Sequence, residues 1–179
     1  MKRVIVDMDG VMADVYHQLV QFEKRDSGRE IEISNLVGIP EIEAFPNGKK
    51  HVNEVGFFRT LPVMEGSRAA LEYINNKYEL YIVSAGMEFP NSLREKFDWL
   101  GEHFPFISWE QIVLCGSKKV IHGDVMIDDY PKNLDHFYPT PQRADRKRTL
   151  QESVFMGRDH GYSVRKKDYT FFRTSITKW

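Results

Sequence analysis

Polar side chains that could transfer a phosphoryl group follow four short apolar runs of the sequence. Such runs are typical of strands buried on both faces of a parallel sheet. Because ligands of open α/β sheets bind beyond the carboxyl ends of the strands, the residues after the runs form the candidate site. They are Asp7 and Asp9 after residues 4–6, Ser84 after 80–83, Lys118 in the loop after 112–114, and Asp128 and Asp129 after 125–127.

The spacing of Asp7 and Asp9 allows one carboxylate to attack phosphorus while the other moves protons. Asp7 is the expected nucleophile, since an aspartyl-phosphate divides a difficult hydrolysis into two easier displacements. Asp9 would protonate the leaving oxygen and then deprotonate the attacking water. Ser84 would donate a hydrogen bond to a phosphoryl oxygen, and Lys118 would neutralise charge on the phosphate and the aspartyl group. The alternative is that the two aspartates only stabilise the turn after a strand.

A carboxylate cluster of this kind requires a cation. Two like charges about 4 Å apart repel each other by roughly 4 kcal/mol at an effective dielectric constant near 20. Oxygen ligands favour a hard ion, and an incomplete carboxylate set with room for water and phosphate favours Mg²⁺. The single cysteine, Cys115, and six histidines without zinc-ligand spacing argue against a zinc site.

The segments between the apolar runs carry helical spacing and therefore predict an α/β fold with a doubly wound parallel sheet. The pattern predicts helices over residues 67–76 and 91–103, and the second of these would bury Leu93, Phe97 and Leu100. Residues 15–60 interrupt the alternation and predict a small helical insertion after the first strand. The alternative for this segment is a long crossover connection.

The composition indicates a globular chain with one domain. It has 179 residues, of which 41% are hydrophobic and 28% charged, and a net charge of −1. This balance gives no attraction to nucleic acid polymers or acidic membranes. No apolar run has the length of a signal peptide core or a membrane span, so a cytoplasmic location is expected.

The same residues resemble the haloacid dehalogenase superfamily of phosphatases, in its 5′(3′)-deoxyribonucleotidase branch. The sequence Asp-Met-Asp-Gly-Val-Met-Ala-Asp at residues 7–14 is similar to the first motif of that branch, and Ser84 is placed as in the second. Lys118, ten residues before Asp128, matches the third motif, and the pair Asp128-Asp129 matches the fourth. Residues 56–62 and 97–100 also resemble this branch.

The resemblance implies a catalytic core of residues 1–14 and 61–141, with residues 15–60 as a helical cap. It implies that Mg²⁺ is bound by Asp7, the main-chain carbonyl of Asp9 and Asp129, with Asp128 in support. It also implies a small phosphorylated substrate, a deoxyribonucleoside or ribonucleoside monophosphate. Phe57 and Phe58 would lie where the cap rejoins the core and could pack on a base or sugar; the alternative is that both are core aromatics.

Residues 142–179 depart from the pattern of the family. They contain ten Lys plus Arg against four Asp plus Glu, a charge of +6, whereas residues 1–141 carry −7. The segment predicts a basic tail without further strands, although the family continues into another strand. A reading-frame change or another replacement of the native C-terminus would account for the difference.

Two other functions fit parts of the pattern. A phosphatase of the same superfamily could act on another small phosphoester, such as a sugar phosphate. A non-catalytic phospho-acceptor or binding domain could also use an aspartate, a lysine and an acidic pair. The order of the motifs disfavours this second alternative, because receiver domains place the acidic pair after the first strand.

Overall fold

A six-stranded sheet forms the centre of the protein, which we describe from a computed structural model. The residues that the structure describes are 1–36, 39–135, 137, 152–156 and 162–166. The strands are β1 (Arg3–Val6), β2 (Glu79–Ser84), β3 (Ile112–Leu114), β4 (Val125–Asp128), β5 (Glu152–Met156) and β6 (Tyr162–Lys166). They lie in the order β3-β2-β1-β4-β5-β6, and only β5 and β6 are antiparallel to each other.

The first four strands confirm the prediction from the apolar runs. β1 lies inside the sheet, where Val4 pairs with Leu80 on one side and Val125 on the other. Ile5 and Val6 are each 1% exposed, as expected for a strand covered on both faces. The predicted α/β fold class is therefore confirmed, and the carboxyl ends of β1, β2 and β4 lie side by side.

Two strands lie in the C-terminal segment, so the prediction that no strand follows Pro141 is wrong. β5 pairs in parallel with β4, with Val125 opposite Glu152 and Asp128 opposite Phe155. Without β5, the outer edge of β4 would present unpaired N–H and C=O groups, and main-chain pairing does not require a long apolar run. The charged block at residues 143–148 lies outside the described residues.

The described part of residues 15–60 contains helices, as predicted for the insertion. The helices are α1 (Val15–Ser27), α2 (Glu41–Ala44) and α3 (Gly48–His51), with a 3₁₀ turn at Ile33–Leu36. α1 begins after Asp14, whose carboxylate accepts the His17 N–H at 2.9 Å. It ends at Gly28, which has φ 71° and donates to the carbonyl of Lys24. The division of the chain into cap and core stays a prediction.

Three further helices cover the sheet and include both predicted ones. They are α4 (Ser67–Lys77), α5 (Ser92–His103) and α6 (Pro131–Asp135). The buried face of α5 differs from the prediction, because Phe97 is 44% exposed while Lys96, Trp99 and Leu100 are buried. Because Lys96 lies on the inward face, the buried face of α5 does not form a continuous apolar stripe in the sequence. Among the described helices, none is both long and apolar enough to cross a membrane.

The orientation of α5 predicts different stabilities for two variants of the same helix. Replacing the buried Leu100 by Ala should lower the free energy of unfolding by about 2–5 kcal/mol, because it opens a cavity in the core. Replacing the exposed Phe97 by Ala should cost well under half as much. Urea denaturation followed by circular dichroism measures both values, and an F97A variant as unstable as L100A would contradict the orientation.

Candidate functional site

The chain turns sharply after β1 and brings Gly10 against the acidic pair that follows β4. Met12 and Ala13 donate hydrogen bonds to the carbonyl of Met8 at 2.9 and 3.0 Å. Gly10 has φ 72°, which favours glycine. A Cβ atom at Gly10 would lie 2.0 Å from Oδ2 of Asp129, so no other residue fits without displacing that carboxylate.

Lys118 joins the ends of β1 and β4. Its Nζ lies 2.6 Å from Oδ1 of Asp7 and 2.7 Å from Oδ2 of Asp128, and all three side chains are buried. Removing one partner of such a group would leave an uncompensated buried charge, which is strongly destabilising. The structure thus brings together three of the residues selected from the sequence.

Lys96 joins the ends of β1 and β2 in the same way, and the sequence reasoning missed it. This lysine on α5 donates a short hydrogen bond to Oδ2 of Asp9 and a 2.8 Å bond to Oγ of Ser84. Lys96 is 1% exposed. One signal could have identified it, since it lies three and four residues before Trp99 and Leu100 and thus on their face of the helix.

The two aspartates of the acidic pair have different surroundings. The Asp128 carboxylate accepts hydrogen bonds from Lys118, from the Tyr130 N–H at 2.9 Å and from Asn133 Nδ2 at 3.0 and 3.1 Å. These donors occupy both oxygens. Asp129 instead lies over Gly10 and is half-buried. The geometry therefore suits Asp129 as a metal ligand and Asp128 as the residue that holds Lys118.

The donor set fits a divalent cation. Three carboxylates lie close together here, with one oxygen of each within 4.8 Å of the other two. They belong to Asp7, Asp128 and Asp129. Burial raises the pKa of Asp7 well above its usual range, against the pull of Lys118. Burial and the Asp128 charge raise the pKa of Asp129 to about 7. When ionised, the three carboxylates of this group carry −3 and Lys118 offsets one of these charges, which leaves the −2 that Mg²⁺ would balance.

The two phenylalanines expected near the substrate are both buried. Phe57 is 0% exposed and packs edge to face on Phe22, with ring centroids 5.2 Å apart. Phe58 is 3% exposed, and its ring centroid lies 4.6 Å from Nζ of Lys96. Phe57 therefore has the surroundings of a core residue, whereas Phe58 adjoins the candidate site.

A second acidic group in segment 15–60 does not need a metal. It comprises Asp26, His51 and Glu54, each of which offers a ligand atom. Arg25 pairs with both carboxylates, and Lys50 lies 2.7 Å from Asp26. His51 is buried against Phe22, with its Nε2 3.1 Å from Asp26. These contacts already balance the two negative charges.

Residues 1–142 match the family described as 5′ nucleotidase, deoxy (pyrimidine), cytosolic type C. The chain is 36% identical to a 5′(3′)-deoxyribonucleotidase of Bacillus subtilis over 160 residues, 87% of this chain and 92% of the relative. It is also 36% identical to a Staphylococcus epidermidis protein named for the same activity, over 142 residues, 76% of this chain and 78% of the relative. The resemblance drawn from the motifs is confirmed.

The Bacillus subtilis alignment also bears on the C-terminal segment. It covers 87% of this chain, whereas residues 1–141 make up less than four fifths of the 179 residues. Shared sequence therefore continues beyond Pro141. A reading-frame change directly after Pro141 is not supported, in agreement with the pairing of β5 on β4.

The raised pKa of Asp129 predicts that Mg²⁺ binding depends on pH. Below about pH 7 this side chain holds a proton that a cation must displace. The affinity should therefore fall below that value, by up to roughly tenfold per pH unit for each ligand carboxyl that must lose a proton. Isothermal titration of the protein with MgCl₂ at several pH values measures this. An affinity that does not change over the range would contradict the assignment, and Ca²⁺ provides a comparison ion.

Proposed function

This chain is a phosphatase of the family described as 5′ nucleotidase, deoxy (pyrimidine), cytosolic type C, and we propose that it hydrolyses deoxyribonucleoside monophosphates with Mg²⁺ through an aspartyl-phosphate. The observation that carries the proposal is the pair of aspartates at the end of β1, each held by a different buried lysine. One carboxylate can then act as nucleophile and the other as proton carrier. The expected cytoplasmic location stays a prediction.

Asp7 is the nucleophile in this proposal. Its Oδ1 accepts hydrogen bonds from Lys118 and from the Met8 N–H at 2.7 Å, so Oδ2 is the oxygen assigned to attack phosphorus. The bond from Oδ2 to phosphorus forms as the bond to the leaving nucleoside oxygen breaks, which gives the aspartyl-phosphate. Lys118 stabilises the negative charge that develops on the transferred group.

Asp9 carries the proton in both steps. Lys96 holds its Oδ2, while Oδ1 is buried and has no hydrogen-bond partner among the described residues. We assign Oδ1 to give its proton to the leaving oxygen. The same oxygen then takes a proton from the water that attacks phosphorus, which releases inorganic phosphate and frees Asp7. Lys96 keeps Asp9 in one orientation through both transfers.

Asp7, the Asp9 carbonyl and Asp129 would hold Mg²⁺. When bound, the ion neutralises the phosphate and the carboxylates that surround it. Asp128 would act indirectly by fixing Lys118, to which it is hydrogen-bonded. Ser84 Oγ accepts a hydrogen bond from Lys96 Nζ at 2.8 Å. Because the hydroxyl is the acceptor there, its own hydrogen is available for a phosphoryl oxygen.

Segment 15–60 would serve as a cap that excludes water from the reaction. Of the two phenylalanines, Phe58 is assigned to the wall of the site because it adjoins Lys96. Phe57 is assigned to the core that supports it.

A substrate panel tests the proposed function. We expect Mg²⁺-dependent phosphate release from 5′- and 3′-deoxyribonucleoside monophosphates to exceed that from ribonucleotides and sugar phosphates. Asp7→Asn should reduce kcat by at least about three orders of magnitude because it removes the nucleophile. Asp98→Asn, a surface aspartate paired with Arg94, is the matched control and should retain activity. A sugar phosphate as the best substrate, or an active D7N variant, would refute the proposal.

Asp9→Asn should affect substrates according to their leaving groups. Loss of a general acid typically costs about 10²–10⁴-fold when the leaving oxygen needs a proton. The nucleotide should therefore lose more kcat/KM than p-nitrophenyl phosphate, whose leaving group departs as the anion. Steady-state kinetics on both substrates provides the test, and equal losses would exclude Asp9 as leaving-group acid.

A further inference from the structure

The carboxylate of Glu95 on α5 collects three main-chain N–H groups from one turn. Oε1 accepts the Gly56 N–H at 2.6 Å, and Oε2 accepts those of Phe58 and Arg59 at 3.0 and 3.1 Å. Successive N–H groups of a turn form a concavity that favours an anion, and hydrogen bonds to an ionised acceptor are about twice as strong as neutral ones. One side chain therefore accepts three N–H groups of this turn.

The turn is the second connection between segment 15–60 and the sheet. Within it, Phe57 N–H bonds to the Glu54 carbonyl and Thr60 N–H to the Gly56 carbonyl, both at 3.2 Å. The N–H groups of Gly56, Phe58 and Arg59 take no part in these two bonds. The Glu95 carboxylate accepts all three. Gly56 has φ 93°, a conformation that favours glycine. Without the Glu95 carboxylate the turn would lose three partners at once.

The next residue of α5 contacts the catalytic groups and the same turn. Lys96 binds Asp9 and Ser84, and its Nζ lies 4.6 Å from the centroid of the Phe58 ring. Phe58 thus donates its N–H to Glu95, and its ring packs beside the Lys96 ammonium. One helical turn later, Trp99 Nε1 donates to the Leu61 carbonyl at 2.8 Å. α5 therefore links the cap connection to the proton-carrying aspartate.

We propose that Glu95 is a positioning residue for the reaction. By fixing the turn at residues 56–59, it keeps the Phe58 ring against Lys96 and so holds the Lys96 ammonium on Asp9. Nothing in this role requires Glu95 to touch the substrate. The proposal rests on the proposed function, since it assigns Glu95 to the alignment of Asp9 during proton transfer.

Glu95→Gln tests the proposal, with Glu102→Gln as matched control. Glu102 lies on the same helix and binds the same turn, but through the side chain of Arg59 rather than the main chain. E95Q should speed amide hydrogen exchange at Gly56, Phe58 and Arg59. It should also lower kcat on a deoxyribonucleotide by about 10- to 100-fold, since small misplacements of catalytic groups have effects of this size. The loss on p-nitrophenyl phosphate should be smaller, and E102Q should behave like the wild type in both assays.

A double-mutant cycle with Lys96→Met identifies the route of the effect. If Glu95 acts through Lys96, E95Q should cause no further loss of kcat in the K96M background. Additive losses, or an E95Q variant as active as E102Q despite faster exchange, would overturn the positioning role. Wild-type protein without phosphatase activity would instead overturn the proposed function and this role together. If E95Q does not fold, E95D, which retains the charge on a shorter side chain, is judged by the same outcomes.

Discussion

Four carboxylates lie at the carboxyl edge of the sheet, and the cost of holding them together constrains the rest of the structure. Two buried lysines balance part of the charge, Lys118 between Asp7 and Asp128 and Lys96 between Asp9 and Ser84. Burial, together with the charge of neighbouring carboxylates, raises the pKa of Asp7 and Asp129, so a bound cation would favour their ionised forms. The site therefore combines fixed positions of its acids with a net negative charge that a cation would offset.

Each element around the site meets part of this constraint. β1 lies between β2 and β4, so the acids that end it reach residues of both neighbours. The 3₁₀ turn at Lys118–Val120 carries one lysine and α5 carries the other. α5 also holds the returning end of segment 15–60 through Glu95 and Trp99. The same helix thus serves charge balance and the placement of the proposed cap.

The sequence was sufficient for the parts that depend on local pattern. The apolar runs predicted four strands, and their polar ends predicted the grouping of Asp7, Lys118 and Asp128. Lys96 was not predicted because its role depends on which face of α5 is buried. Phe97, an apolar residue on the exposed face, makes that face difficult to identify from the sequence. β5 was not predicted because this strand depends on pairing with the edge of β4. That edge exists only in the assembled sheet and is not visible in residues 152–156 themselves. The different surroundings of Phe57 and Phe58 also arise only in the folded chain.

In the proposed reaction, Asp7 becomes phosphorylated during turnover. Acid quenching of the enzyme while it hydrolyses a deoxyribonucleoside monophosphate, followed by borohydride reduction and peptide mass spectrometry, locates an acyl phosphate directly. We expect the residue at position 7 to be converted to homoserine, and only when both substrate and Mg²⁺ are present. An unmodified Asp7 during active turnover, or a phosphoryl group trapped on a different residue, would contradict it.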